Sequence, residues 1–140
     1  GGSAADAQHI AAEFVGKFQK NRSSFPAIAL TTDSSILTSI GNDFSFESIF
    51  SRQCEGLASK DDVVIGISTS GNSQNIVNGL ITSKKNGCKT IGFLGNNGGK
   101  IKDIVDVAVT VNSKSTPRIQ EVHRTIFHII CDLAEQDLTN

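Results

Sequence analysis

His9 and Glu13 stand four residues apart in a stretch of helix-forming composition. That spacing puts both side chains on one helix face, about 40° apart. An imidazole and a carboxylate so placed can hold one metal ion or share a proton. The same arithmetic sets them opposite Ile10, Phe14 and Phe18. Taken alone, such a pair is more commonly a solvated contact on a helix surface.

A second pair lies near the other end of the chain, where Gln120 and His128 project within about 80° of each other on one helix. Val122, Ile126, Ile129 and Leu133 fill the opposite arc, the expected core face, so this pair points away from the core. Solvent is the plain expectation for it. His123 lies off that stripe and reads as structural.

The third constellation is the run Ser68-Thr69-Ser70-Gly71-Asn72-Ser73, between an apolar strand pattern and a helix. Hydroxyls and free amide N–H groups gather there at a helix N-terminus, whose dipole favours an anion. A phosphate monoester suits this turn, and an ordinary Ser/Thr-rich helix cap explains it equally well. Gly95-Asn96-Asn97-Gly98-Gly99-Lys100-Ile101 has neither the Walker spacing nor a hydroxyl after its lysine. The opening Gly1-Gly2-Ser3 would form a similar turn if a strand preceded it. Asn42 and Asp43 offer an amide and a carboxylate in a loop, where turn chemistry also accounts for them.

The elements that must position these groups alternate between helical and short apolar patterns, which is α/β organisation. Helices are expected at about 3–18, 46–58, 74–85 and 118–138, with a short one possible within 31–41. Strands are expected at 27–30, 63–67, 90–94 and 105–111. Strands separated by helices favour a parallel sheet, and their continuous apolar runs favour burial on both faces.

The 140 residues suit one domain, 1–140, with 38% hydrophobic and 19% charged residues and a net charge of −1. No basic excess exists to hold a nucleic acid. No apolar run approaches the ~20 residues of a membrane span, and no secretory signal opens the chain. Cys54, Cys88 and Cys131 read as buried free thiols in a reducing, cytoplasmic setting. The absence of Met and the double-glycine start lead us to expect a preceding segment.

The blocks GGSAADAQHIAAEFVGKF, IGNDFSFESIFSRQ, GISTSGNSQNIV and RIQEVHRTIFHII, in order along the chain, resemble the signature blocks of the phosphoheptose isomerases. The resemblance implies a sugar-isomerase (SIS), flavodoxin-like fold: a five-stranded parallel sheet flanked by helices, its N-terminal helix and first strand missing here. It implies a homotetramer with active sites at subunit boundaries. It implies a zinc ion held at His9, Glu13, Gln120 and His128. Substrate contacts would fall to Gly1, Gly2, Asn42, Asp43, Ser68, Thr69, Ser70 and Ser73, with Glu13 and Gln120. The implied reaction interconverts sedoheptulose 7-phosphate and D-glycero-D-manno-heptose 7-phosphate for bacterial heptose biosynthesis, with Glu13 and His128 as catalytic acid/base groups. Lys17 departs from the pattern, where Arg is common. A non-catalytic relative that binds the bacterial replication initiator is the alternative; that group lacks the acid and the imidazole at the Glu13 and His128 positions.

Overall fold

The structure, a computed structural model, describes residues 1–139. Three parallel strands, β1 (Val63–Ser68), β2 (Lys89–Gly95) and β3 (Val107–Val111), form a sheet in the order β1-β2-β3. Helix α1 (Gly2–Val15), α2 (Ser34–Asp43), α3 (Ser51–Leu57), α4 (Gln74–Lys85) and α5 (Thr116–Leu138) surround it. Pro117 sits in the first turn of α5, where its missing N–H costs no hydrogen bond.

Two adjacent residues of β2 show how the layers assemble. Phe93 and Leu94 are both wholly buried, yet successive strand side chains point to opposite faces. Phe93 packs with Ile10, Ile67, Phe127 and Cys131, the layer that holds α1 and α5 against the sheet. Leu94 packs on the other face with Val77, Leu80 and Ile101, which seats α4. Burying a side chain such as Leu80 stabilises the fold by about 1.5–3 kcal/mol relative to leaving it in water. The expected α/β architecture with a two-faced parallel sheet is what the chain adopts.

Four local expectations need correction. Residues 27–30 form no strand, and Ile28 is 71% exposed. An apolar run becomes a strand only with a ladder to join; here the Leu30 carbonyl accepts from Gln53 Nε2 instead, at 3.0 Å. No strand pairs with the outer edge of β1 among the described residues. Helix α1 stops at Val15, short of Phe18, because the backbone beyond Gly16 turns to meet Glu135 on α5. The expected helix over 46–58 is a 3-10 turn, Phe46–Ser48, followed by the separate α3.

The fourth correction concerns which side of α5 faces inward. Its buried stripe is Ile119, His123, Phe127, Cys131 and Glu135. Val122, Ile129 and Leu133 are instead 41%, 53% and 58% exposed. The imidazole of His123 is tolerated inside because its Nε2 donates to the Leu94 carbonyl at 2.9 Å. Burial holds His123 below its ordinary value, against the opposing effects of the Leu94 carbonyl and Asp6, so it stays neutral.

Candidate active site

Helices α1 and α5 lie side by side in parallel, and the pairing residues march along both in step. Gly2 lies under the Gln120 amide. One turn on, Arg124 donates to the buried Asp6 carboxylate from Nε at 3.2 Å and Nη2 at 3.0 Å. Then His9 meets His128, with ring centroids 5.2 Å apart. Beyond the end of α1, the backbone of Phe18 meets Glu135. This register brings His128 to the His9/Glu13 pair, while Gln120 lies against Gly2.

His9 Nε2 and Glu13 Oε1 lie 3.0 Å apart. With His128, one donor atom from each residue falls within 4.8 Å of the others. Three donors around a zinc ion at ~2.1 Å would stand about 3.4 Å apart. The set of two imidazoles and one carboxylate therefore has suitable chemistry and nearly suitable spacing for that cation. Cys131 lies outside this cluster, in the apolar layer around Phe93; burial, with the Glu13 and Glu135 carboxylates nearby, pushes its thiol up to about 11 despite Arg22.

Gln120 stands on the same seam but at its other end, about two helical turns before His128. A Cβ built on Gly2 would fall 2.5 Å from Gln120 Nε2, so only glycine leaves room for the amide where it lies. Gly1 and Gly2 form the N-cap and first residue of α1 rather than a free turn, and no side chain caps that helix. Its first amides are thus free to face a ligand.

The serine turn closes on itself in an unusual way for a helix cap. Ser73 occupies the N-cap of α4, yet its side chain makes no capping bond. Its hydroxyl lies 3.0 Å from Ser68 Oγ, and Ser68 Oγ lies 3.4 Å from Ser70 Oγ. Three hydroxyls therefore converge where the dipole of α4 favours an anion. A second turn braces this one. Asn96 Nδ2 donates to the Thr69 carbonyl at 3.0 Å, and Lys100 N–H donates to Asn72 Oδ1 at 3.0 Å. Gly71, at φ +69°, packs so tightly on Gly98 that a Cβ there would collide with the Gly98 carbonyl. Ser70 and Asn72 also line a cleft of about 460 Å³ with Asn96, Asn97, Asn112 and Lys114.

Asn42 and Asp43 end α2 instead of lying in a loop. Asp43 lines a groove with Ile36, Phe44 and Arg52, and none of His9, Glu13 or His128 lines it. Two contributors escaped the sequence reading. Phe18 stacks on His128 at 5.6 Å, but its apolar type signals only core. Asn96 has φ +55°, and nothing in its neighbourhood in the chain marks it as a brace for Thr69.

Comparisons with known proteins bear on the family and the fold. The SIS-domain family profile matches residues 1–95. A phosphoheptose isomerase of Geobacter sulfurreducens is 62% identical over 138 residues, covering 99% of this chain and 73% of that protein. One from Nitratiruptor is 62% identical over 136 residues, again 73% of its length. Among solved structures, the phosphoheptose isomerase of Neisseria gonorrhoeae superposes with a TM-score of 0.91 at 43% identity, over 97% of this chain and 72% of that one. That of Francisella tularensis gives 0.93 at 34% identity, over 97% and 73%. With this degree of likeness along nearly its whole length, the chain belongs to the SIS-domain family of phosphoheptose isomerases.

Proposed function

We propose that this chain carries the active site of an aldose–ketose isomerase acting on a phosphorylated seven-carbon sugar, interconverting sedoheptulose 7-phosphate and D-glycero-D-manno-heptose 7-phosphate. The observation that carries the reading is the meeting of His9, Glu13 and His128 across α1 and α5. Relatives 62% identical bear the isomerase name, which supports it. A scaffold that binds a replication initiator needs neither an imidazole pair nor a carboxylate at this seam, so the alternative is not favoured.

The reaction moves a proton between adjacent carbons through an enediol(ate), with a matching transfer between their oxygens. Glu13 takes the proton from one carbon and returns it to the next. His128 carries the proton between the oxygens. Ser68, Thr69, Ser70 and Ser73 hold the phosphate, whose binding energy orients the distant reacting end. Gly1, Gly2 and Gln120 contact the sugar, and Asn42 and Asp43, the latter in a groove the cluster does not line, would join it across a subunit boundary. His9, Glu13, Gln120 and His128 would hold zinc. When bound, that ion polarises the carbonyl and steadies negative charge.

The same proposal includes a cytoplasmic homotetramer with active sites at subunit boundaries. Exposed Val122, Ile129 and Leu133 on α5 supply an apolar stripe for such an assembly. No described helix is long and apolar enough to cross a membrane.

The test is heptose-phosphate turnover and zinc content of the full-length protein beside Glu13→Gln. Loss of about 10²–10⁴ in kcat, as expected for a removed general base, supports the assignment. Near-normal turnover in the variant would remove Glu13 from that role.

A further inference from the structure

We infer that Arg22 and Glu135 form a positioning clasp that, through Phe18, sets the orientation of the His128 imidazole. The inference deepens the proposed isomerase site and rests on that reading for its catalytic consequence.

The clasp is a closed hydrogen-bonded unit. Where the chain leaves α1, three successive backbone N–H groups converge on one carboxylate. Phe18 N–H donates to Glu135 Oε1 at 3.0 Å, and those of Gln19 and Lys20 donate to Oε2 at 2.8 and 2.7 Å. Arg22 Nε donates to Oε1 at 2.8 Å. The other end of the same guanidinium reaches back to α1, where Nη2 donates to the Glu13 carbonyl at 2.8 Å and Nη1 to that of Phe14 at 3.0 Å. Those carbonyls belong to the last turn, where intrahelical donors run out; the Phe14 carbonyl also accepts from Phe25 N–H at 3.0 Å. The Arg22 and Glu135 side chains are only 5% and 1% exposed.

Stability alone does not explain so elaborate a node. A buried ion pair is often no better than apolar side chains of equal volume. What the clasp adds is a fixed path for the chain between Gly16 and Arg22. That path places the Phe18 ring on His128, centroids 5.6 Å apart and planes inclined by 28°. On its other contact the same imidazole meets His9 at 78°. His128 is therefore held between two rings, one of them placed by Glu135 about two turns further along α5. Arg22, meanwhile, grips the backbone of Glu13 itself. Neither clasp residue touches the reacting atoms; both act through their neighbours.

The experiment compares the full-length parent with Phe18→Leu, Phe18→Tyr and Glu135→Gln. The primary readout is the side-chain nitrogen resonances of His128 in the metal-free protein, which needs neither substrate nor zinc. Zinc affinity, titrated with Zn²⁺ alone against a chelator, and the split between kcat and KM are read beside it. Phe18→Leu keeps the apolar contact with the core and loses the stack. It is expected to shift or broaden the His128 resonances, to weaken zinc about 10-fold, and to lower kcat about 10-fold with KM nearly unchanged. Phe18→Tyr, which keeps the ring, restores all three, and Glu135→Gln follows Phe18→Leu where it folds. Parent-like His128 resonances and zinc affinity in Phe18→Leu would overturn the inference. A parent without heptose-phosphate turnover would sink the proposed function and leave the resonance comparison intact.

Discussion

His9 and His128 meet in a T-shaped contact, ring centroids 5.2 Å apart, although they belong to the first and last helices of the chain. Glu13 shares the cluster. Two imidazoles and a carboxylate held this way offer a zinc ion more donors than any one pair could. Replacing His128 with Ala should weaken zinc binding by more than the 10–100-fold typical of groups behind the ligands. His9→Ala should do the same. Competition with a chromogenic chelator measures both. Equal affinity in parent and variants would place the cation elsewhere.

The hydroxyls of Ser68, Ser70 and Ser73 converge without capping α4, and Ser70 Oγ accepts from Asn72 N–H at 3.1 Å, which leaves the Ser70 O–H able to donate to a phosphate. One hydrogen bond to a charged group contributes about 1.5–3 kcal/mol. Ser70→Ala should therefore raise KM for the phosphosugar about 10–100-fold. Inhibition by inorganic phosphate should weaken in parallel. If the KM of the variant matches the parent, the turn is an ordinary loop and the phosphate binds elsewhere.

Much of this was legible in the residues themselves, and the gaps have specific causes. Strands β1 and β2 and helix α4 announced themselves through continuous apolar runs and punctuating glycines. Residues 27–30 looked the same yet are no strand, because a run of apolar side chains says nothing about whether a ladder lies beside it. Helix α5 was identified but its inner face was not. The buried stripe holds His123 and Glu135, whose polarity is answered by Leu94 and Arg22, partners far off in sequence. The outer stripe is the more uniformly apolar of the two, and a periodicity count prefers it.

The candidate site followed the same logic. The i, i+4 spacing placed His9 and Glu13 on one face, but only the register of α1 on α5 brings His128 to them. That register is set by Asp6 with Arg124 and by Glu135 with the 18–22 segment. None of these pairings has a local signature. Family resemblance supplied what periodicity could not.

Gly2→Ala probes the seat of the Gln120 amide without altering the Gln120 side chain. An added Cβ would fall 2.5 Å from Nε2, the far end of a flexible side chain. The backbone need not move, and Ala is at least as good as Gly in a helix, by up to about 1 kcal/mol. Gly2→Ala should thus leave the thermal midpoint unchanged or slightly raised while displacing the Gln120 amide. Turnover falls without loss of fold if either Gly2 or the amide seated on it contacts the sugar. Full turnover with the amide displaced would retire Gln120 from the site.

Acid should unfold the protein in two stages with distinct origins. His123 is held below its ordinary 6.5, first by burial, with the Leu94 carbonyl and Asp6 opposing. The unfolded chain therefore binds a proton that the folded one refuses, and stability begins to fall as pH drops below 6.5. For Glu135, burial alone would push the carboxyl up. The amides of Lys20, Gln19 and Phe18 and the Arg22 guanidinium outweigh it and hold the group at about 2, against an ordinary 4.5. Its contribution is complete above 4.5 and drains away as pH falls toward about 2. Asp106, lowered by the Thr90 N–H and hydroxyl, acts in the same sense. Urea midpoints measured from pH 7.5 down to 3 should therefore decline and then steepen. In Glu135→Gln the midpoint starts lower, the first decline persists, and the later steepening is reduced to what Asp106 contributes. Parallel curves for parent and variant below pH 4.5 would show that the buried carboxyl is not held ionised by those four donors.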